Sequence, residues 1–154
     1  MKLTKRFKTA FYPTLLGLYA TGVGTWIYGK WFSIDRGYGL EANPTGITLL
    51  HVHSVIGLWF LLTFGYLWHC HIERAWKSRK KRTSGVMLLT PILLLFITVP
   101  GLFYLTDEKL KEFTSAVHTY VGLFVALPFF FHFLRAVQAR KPKPTNRPTP
   151  KHRR

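Results

Sequence analysis

Residues 42–72 read ANPTGITLLHVHSVIGLWFLLTFGYLWHCHI, a stretch of 31 residues without Asp, Glu, Lys or Arg. About 20 apolar residues are enough for a helix to cross the roughly 30 Å hydrocarbon core of a bilayer. Because the core offers no water to backbone polar groups, a stretch that spans it should be helical. The excess length predicts a helix that tilts or extends beyond the core.

Three further stretches lack these charged residues, at 9–29, 83–106 and 113–134. Each is long enough to span a bilayer. The sequence therefore predicts an all-α integral membrane four-helix bundle within residues 1–139, with helices at about 11–32, 44–76, 85–105 and 113–139 and a loop at 106–112. Pro91 and Pro100 should kink the third helix. Residues 140–154 are basic and proline-rich, and we expect them to form an extended or disordered cytoplasmic tail unless a partner orders it.

The net charge of +16 is distributed unevenly along the chain. Positive charge is concentrated before the first helix, between the second and third helices and in the tail, whereas the other two connections are close to neutral. This asymmetry predicts a four-span membrane protein with both termini in the cytoplasm. It favours contact with anionic membrane lipid and argues against nucleic-acid binding. The single cysteine, Cys70, excludes a disulfide framework.

Six of the seven histidines lie within the apolar stretches, and they are His51, His53, His69, His71, His118 and His132. Ionisable side chains are costly inside a bilayer, where they usually mark a functional site. Imidazole is also the commonest metal ligand in proteins. On one helix, the 14-residue spacing of His118 and His132 leaves them about 40° apart around the axis and about 21 Å apart along it. The sequence therefore predicts two metal-ligand levels across the membrane.

The second predicted helix contains two histidine pairs, and either pair could supply the ligands at the two predicted levels. His53 and His71 are 18 residues apart and should be eclipsed on a straight helix, as should His51 and His69. We favour His53 with His118 at the outer level and His71 with His132 at the inner level. The pair His51 and His69 is the alternative, and a mixed set remains open. The favoured faces carry small and apolar residues between the histidines: Gly57, Phe60 and Phe64 on the second helix, and Gly122, Val125 and Phe129 on the fourth.

Two other kinds of metal site fit the pattern less well. Histidines two residues apart, as in His-Val-His and His-Cys-His, diverge by about 200° on a helix and cannot chelate one ion unless the helix unwinds. A carboxylate-bridged di-iron site needs several buried glutamates. The glutamates of this chain, however, lie in loops or at helix ends: Glu41, Glu73, Glu108 and Glu112.

Over about residues 45–135 the chain resembles the small four-helix dihaem cytochrome b subunits, such as the membrane anchors of bacterial formate dehydrogenase and nickel-iron hydrogenase. The resemblance rests on His53-x-x-x-Gly57, the basic connection after the second helix, Ser84-Gly85, and His118-x-x-x-Gly122 with His132. It implies two haem b groups, each with two histidine ligands. The remaining residues expected at the haems are glycines beside the rings and arginines near the propionates, namely Gly57, Gly122, Arg36, Arg74 and Arg135.

The resemblance also implies a function. Such a subunit moves electrons across the membrane between a quinone pool and a periplasmic cytochrome c or redox enzyme subunit, within a respiratory complex. We expect no catalytic residue for another substrate, although an unligated histidine, His51 or His69, is a candidate for handling protons at a quinone. The alternative is a haem-free scaffold or transporter subunit whose histidines line a proton or metal path, which Pro91, Pro100 and Pro128 would suit as helix breakers.

Overall fold

The computed structural model describes residues 5–35, 40–41, 43–77 and 82–138. The chain is helical, which confirms the all-α prediction. Its helices are α1 (Lys5–Trp31), α2 (Pro44–Leu67), α3 (Glu73–Lys77), α4 (Arg82–Tyr104), α5 (Glu108–Phe124) and α6 (Ala126–Gln138), and a π-helical turn, Trp68–Ile72, joins α2 to α3. Between α1 and α2, the two-residue strands β1 (Ile34–Asp35) and β2 (Leu40–Glu41) form an antiparallel ladder. The predicted tail at 140–154 lies outside the described residues.

Capping side chains set the start of two helices. The Asn43 side chain accepts a hydrogen bond from the Thr45 amide at 2.9 Å, and α2 begins at Pro44, as predicted. The fourth predicted helix begins earlier than expected, because the Asp107 carboxylate accepts from the Leu110 amide at 2.8 Å. Most of the predicted loop at 106–112 is therefore the first turn and a half of α5.

Proline has different effects in the third and fourth predicted helices. Within α4, both Pro91 and Pro100 lie inside one continuous helix. By contrast, α5 ends at Phe124, four residues before Pro128, and α6 begins after Val125. Proline has no amide hydrogen to donate to the carbonyl four residues earlier, and its ring clashes with that carbonyl. The fourth predicted helix is consequently two helices in series rather than one.

Three stretches are long and apolar enough to cross a membrane: Pro44–Lys77, Thr83–Tyr104 and Glu108–Gln138. Helix α1 is not among them, since glycine, threonine and aromatic residues lower its hydropathy. Large apolar side chains of the apolar helices face outward, and Val55, Ile97 and Leu127 are each about two-thirds or more exposed. Such a surface is suited to contact with membrane lipid.

Helix α1 packs along α2 through small residues. A Cβ atom added at Gly22 would lie 2.9 Å from the His53 ring, and one added at Gly24 would lie 3.0 Å from Leu49. Small residues let two helices approach closely, which is the usual basis of helix association in a membrane. Gly22 and Gly24 therefore allow α1 to pack closely on α2.

A layer of phenylalanine rings joins α2 to α4. Among the described residues, the buried apolar side chains are Phe60 and Phe64, which are 4% and 6% exposed. Both pack on Phe96 of α4, with ring centres 6.0 Å and 5.0 Å apart, respectively. In this phenylalanine layer (Phe60, Phe64 and Phe96), two residues of the predicted Gly57–Phe60–Phe64 face of α2, Phe60 and Phe64, are buried. In the chain, its two α2 members lie between His53 and His71.

Candidate functional site

His53 of α2 and His118 of α5 face each other across the bundle. Their ring centres are 6.4 Å apart and their planes are nearly perpendicular, at 89°. Both side chains are half-buried. Helix α1 supports the first ring and α4 supports the second, so four helices contribute to this histidine pair.

Hydrogen bonds define the tautomer of His53. Its Nδ1 lies 3.0 Å from the carbonyl oxygen of Leu18, which can only accept, so Nδ1 carries the hydrogen. The hydroxyl of Thr21 lies 3.2 Å from the same nitrogen and donates its own hydrogen to the Gly17 carbonyl at 2.7 Å. In the neutral ring, the lone pair of His53 is therefore on Nε2.

His118 carries its hydrogen on the same ring nitrogen. Its Nδ1 lies 2.7 Å from Oγ1 of Thr98, and that hydroxyl donates to the Leu95 carbonyl at 2.8 Å. Because the Thr98 hydroxyl donates its hydrogen to Leu95, the Thr98 oxygen accepts the hydrogen bond from Nδ1–H of His118. Thr98 is 7% exposed, so this contact is shielded from solvent. In the neutral ring, the lone pair of His118 is likewise on Nε2.

The distance between the rings matches a shared ion. A metal–imidazole bond is about 2 Å long and the ring centre lies about 1 Å beyond the nitrogen, so two imidazoles on opposite sides of one ion have centres about 6 Å apart. The observed 6.4 Å agrees with this value. Histidine ligands usually donate their second ring nitrogen to a protein oxygen, as both do here. Within the described ranges, no group of three or more His, Cys, Asp or Glu side chains could hold a metal ion.

The second histidine level combines residues of the π-helical turn with α6. His71 of the π-helical turn is half-buried, and His132 of α6 contributes to its electrostatic environment. Nδ1 of His132 is buried without a hydrogen-bond partner in the described part of the chain. A buried polar atom of this kind is costly unless another group satisfies it. At this level the structure leaves the buried Nδ1 of His132 in need of a partner.

The other two histidines of the second predicted helix point elsewhere. His51 is exposed. His69 has a side chain that is 80% exposed, and its Nδ1 lies 3.2 Å from Glu73, which also pairs with Lys77 at 2.6 Å. A π turn contains about one more residue than an α turn and rotates the next residues by about 100° around the axis, so the eclipsed spacing predicted for a straight helix does not apply beyond Leu67.

The predicted glycine and arginine positions differ in what they contact. Gly57 faces Leu18, and Gly122 faces Leu95, at 3.7 Å and 3.8 Å from an added Cβ, so both lie against the supporting helices α1 and α4. Arg74 is exposed on α3. The exposed Arg135 places its guanidinium 5.5 Å from the Phe131 ring centre. Arg36 lies outside the described residues.

Sequence reasoning missed the supporting groups of the histidine pair, Thr21, Thr98 and Gly22. A hydroxyl within an apolar helix is an available signal, yet the apolar helices contain many threonines that bond only their own backbone, such as Thr90 to Val86 at 3.0 Å. Contact with a histidine 20 or 32 residues away depends on helix pairing. No protein family, curated protein or solved structure matches the chain.

Proposed function

We propose that the chain is a membrane dihaem cytochrome b, and the geometry of His53 and His118 is the observation that carries this proposal. Two imidazoles with free Nε2 atoms at this separation suit a metal whose four other ligands come from a tetrapyrrole ring. His71 with His132 would hold the second haem. Helix α1 would be a fourth span and both termini would be cytoplasmic, in agreement with the positive charge of the connections on that side.

The proposed role is electron transfer between a quinone pool and a periplasmic redox partner, as a subunit of a respiratory complex in the bacterial inner membrane. When bound between these histidines, haem would supply one-electron chemistry and would be expected to carry electrons rather than bind oxygen. The chain's own residues hold and orient the group. Thr98 and the Leu18 carbonyl fix the two imidazoles, and the phenylalanine layer keeps water from the space between the histidine levels.

An absorption spectrum tests this proposal directly. The full chain purified in detergent should show the α band of low-spin haem b in a reduced-minus-oxidised spectrum, since six-coordinate bis-histidine iron is low-spin. A pyridine haemochrome assay should give about two haems per chain. A purified, folded chain that shows neither signal even after reconstitution with haem would contradict the cytochrome function and favour the haem-free alternative.

Replacing Thr98 by valine should weaken haem binding while keeping the helix packing. Valine has nearly the same shape as threonine but cannot accept the Nδ1 hydrogen of His118, and loss of such a contact typically costs about 10- to 100-fold in metal affinity. Haem retention during dilution or competition with apomyoglobin measures the change. Thr90→Val is the matched control, because Thr90 lies on the same helix and bonds only Val86. Equal retention in the two variants would show that Thr98 does not support a ligand.

A further inference from the structure

The junction between α5 and α6 lacks one of the hydrogen bonds that hold a continuous helix together. Pro128 has no amide hydrogen, so it cannot donate to the Phe124 carbonyl four residues earlier. Helical hydrogen bonds are present on either side of this gap, where Val125 donates to Val121 at 2.9 Å and Phe129 donates to Val125 at 3.2 Å. A helix bends most easily where such a bond is missing. The junction is therefore a point about which the two helices can change their angle.

The helices on the two sides of the junction are held differently. Helix α5 packs on both α1 and α4, and the Tyr19 hydroxyl of α1 donates to the Leu123 carbonyl at 3.2 Å, just before the junction. Helix α6 packs mainly on α4, and in the described part of the chain its side chains make no hydrogen bond to another helix. Its apolar side chains Leu127 and Phe130 are more than half exposed, and lipid tails are as apolar as they are. Helix α5 is thus fixed near its end, whereas little holds α6 at one angle.

An apolar groove beside the junction provides room for α6 to turn. It has a volume of about 460 Å³, and Pro91 of α4 forms one wall. The opposite wall includes Val121 and Phe124 before the junction and Leu127 and Pro128 after it. The groove is open to the side of the bundle, so lipid chains can enter and leave it. A change in the angle between α5 and α6 therefore changes the width of the groove and meets no packed core.

The two histidine levels differ in how well their side chains are supported. At the first level, His53 and His118 each donate Nδ1–H to a protein oxygen. At the second level, Nδ1 of His132 is buried without a hydrogen-bond partner among the described residues. His118 lies on α5, whereas His132 lies on α6. The histidine without support is thus the one on the helix that can turn.

We propose that α6 is a hinged arm that turns about Val125, and that this turn completes the second histidine level. The turn moves His132 relative to the π-helical turn that carries His71 and lets its Nδ1 reach an acceptor. The part of this inference that concerns haem rests on the proposed function. The first level binds haem as it stands, whereas the second binds haem only with a movement of α6. The His53–His118 pair therefore takes up its haem at a lower haem concentration than the second level does.

Distances between spin labels, measured by electron paramagnetic resonance, test the hinge in the full chain without haem. Val86→Cys with Val137→Cys places labels on exposed positions of α4 and α6, in a chain whose native thiol is removed by Cys70→Ala. A hinge predicts a broad distribution of distances for this pair. Pro128→Ala can restore the missing hydrogen bond and should lower the population of the minor conformers by about 5-fold, the effect of one hydrogen bond of ordinary strength.

Two controls accompany this label pair. Pro100→Ala replaces a proline that lies inside continuous α4 and outside the groove, and it should leave the α4–α6 distribution unchanged. A second pair, Val86→Cys with Lys111→Cys, spans α4 and α5 and should give a narrow distribution with and without Pro128→Ala. An α4–α6 distribution as narrow as this one, or one that Pro128→Ala leaves unchanged, would overturn the hinge.

Stepwise addition of haem, followed by absorbance, tests the difference between the two levels. The second equivalent should bind about 10- to 100-fold more weakly than the first, because loss of the hydrogen bond at a ligand's other ring nitrogen typically costs that factor. His132→Ala should remove the weaker binding step and keep the tighter one. Equal affinities in the wild-type chain, or loss of the tighter step in His132→Ala, would contradict the inferred difference.

The same titration links the hinge to the second level. Pro128→Ala should weaken the second equivalent further and leave the first unchanged, since a straightened helix cannot turn His132 toward its partners. A narrowed α4–α6 distribution with an unchanged second affinity would show that the hinge does not serve this level. A chain that binds no haem would contradict the proposed function, while the spin-label distances would still decide whether α6 is hinged.

Discussion

Replacing His118 by alanine is expected to remove one haem and leave the other in place. His118 supplies one of the two proposed axial ligands of the first haem, and it lies 14 residues from His132 of the second. About half of the haem absorbance should be lost, and the remaining spectrum should stay low-spin because the second site keeps both histidines. Quantitative pyridine haemochrome per purified chain measures this outcome.

His51→Ala is the matched control for the histidine replacement. It removes an exposed imidazole only two residues from His53, at the same level of the bundle. The variant should retain both haems. Full haem content in His118→Ala, or loss of one haem in His51→Ala, would show that the first ligand pair is assigned wrongly.

Gly22→Val should abolish the first haem site without touching a ligand. Even a Cβ at this position would lie 2.9 Å from Cε1 and 3.2 Å from Nδ1 of His53. Since the ring is held against the Leu18 carbonyl, it must leave that hydrogen bond and turn away from His118. Displacing a ligand by about 1 Å is enough to spoil a metal site, and we expect haem content to fall as far as in His118→Ala.

The control for this steric effect is Gly29→Val on the same helix. A Cβ at Gly29 meets nothing within 4 Å, and valine is a better helix former than glycine, so helix α1 should tolerate the change. Both variants should be compared by circular dichroism in detergent to show equal helix content. Two intact haems in Gly22→Val would mean that His53 has room to move while still binding metal.

The fold was largely predictable from the sequence because charge-free stretches and caps are local signals. The charge-free stretch at 42–72 placed the start of α2 at Pro44, and the apolar face through Phe60 and Phe64 identified its buried side. The positions at which helices are interrupted were harder to predict from the sequence. Pro91, Pro100 and Pro128 are chemically alike, yet only Pro128 separates two helices, and the π-helical turn has no comparable sequence signal.

The candidate site was predictable as a set of residue types but not as a geometry. Spacing on α5 and α6 identified His118 and His132, and depth paired them with the second predicted helix. The choice among four histidines there depends on tertiary contacts. His53 packs under Gly22 of α1, while His69 is drawn outward by Glu73. Such contacts between separate helices depend on rotation about each axis, which local sequence does not determine.

The phenylalanine layer has a consequence for how the membrane potential acts on the proposed electron path. Phenyl rings contain no exchangeable hydrogen, so Phe60, Phe64 and Phe96 themselves carry no proton between the two histidine levels. An electron on the proposed path would then move past these rings without a proton carried by them. Moving one electron across the whole membrane changes its free energy by about 2.3 kcal/mol for each 100 mV of membrane potential. The rate and direction of electron transfer between the two proposed haems would thus depend on the membrane potential.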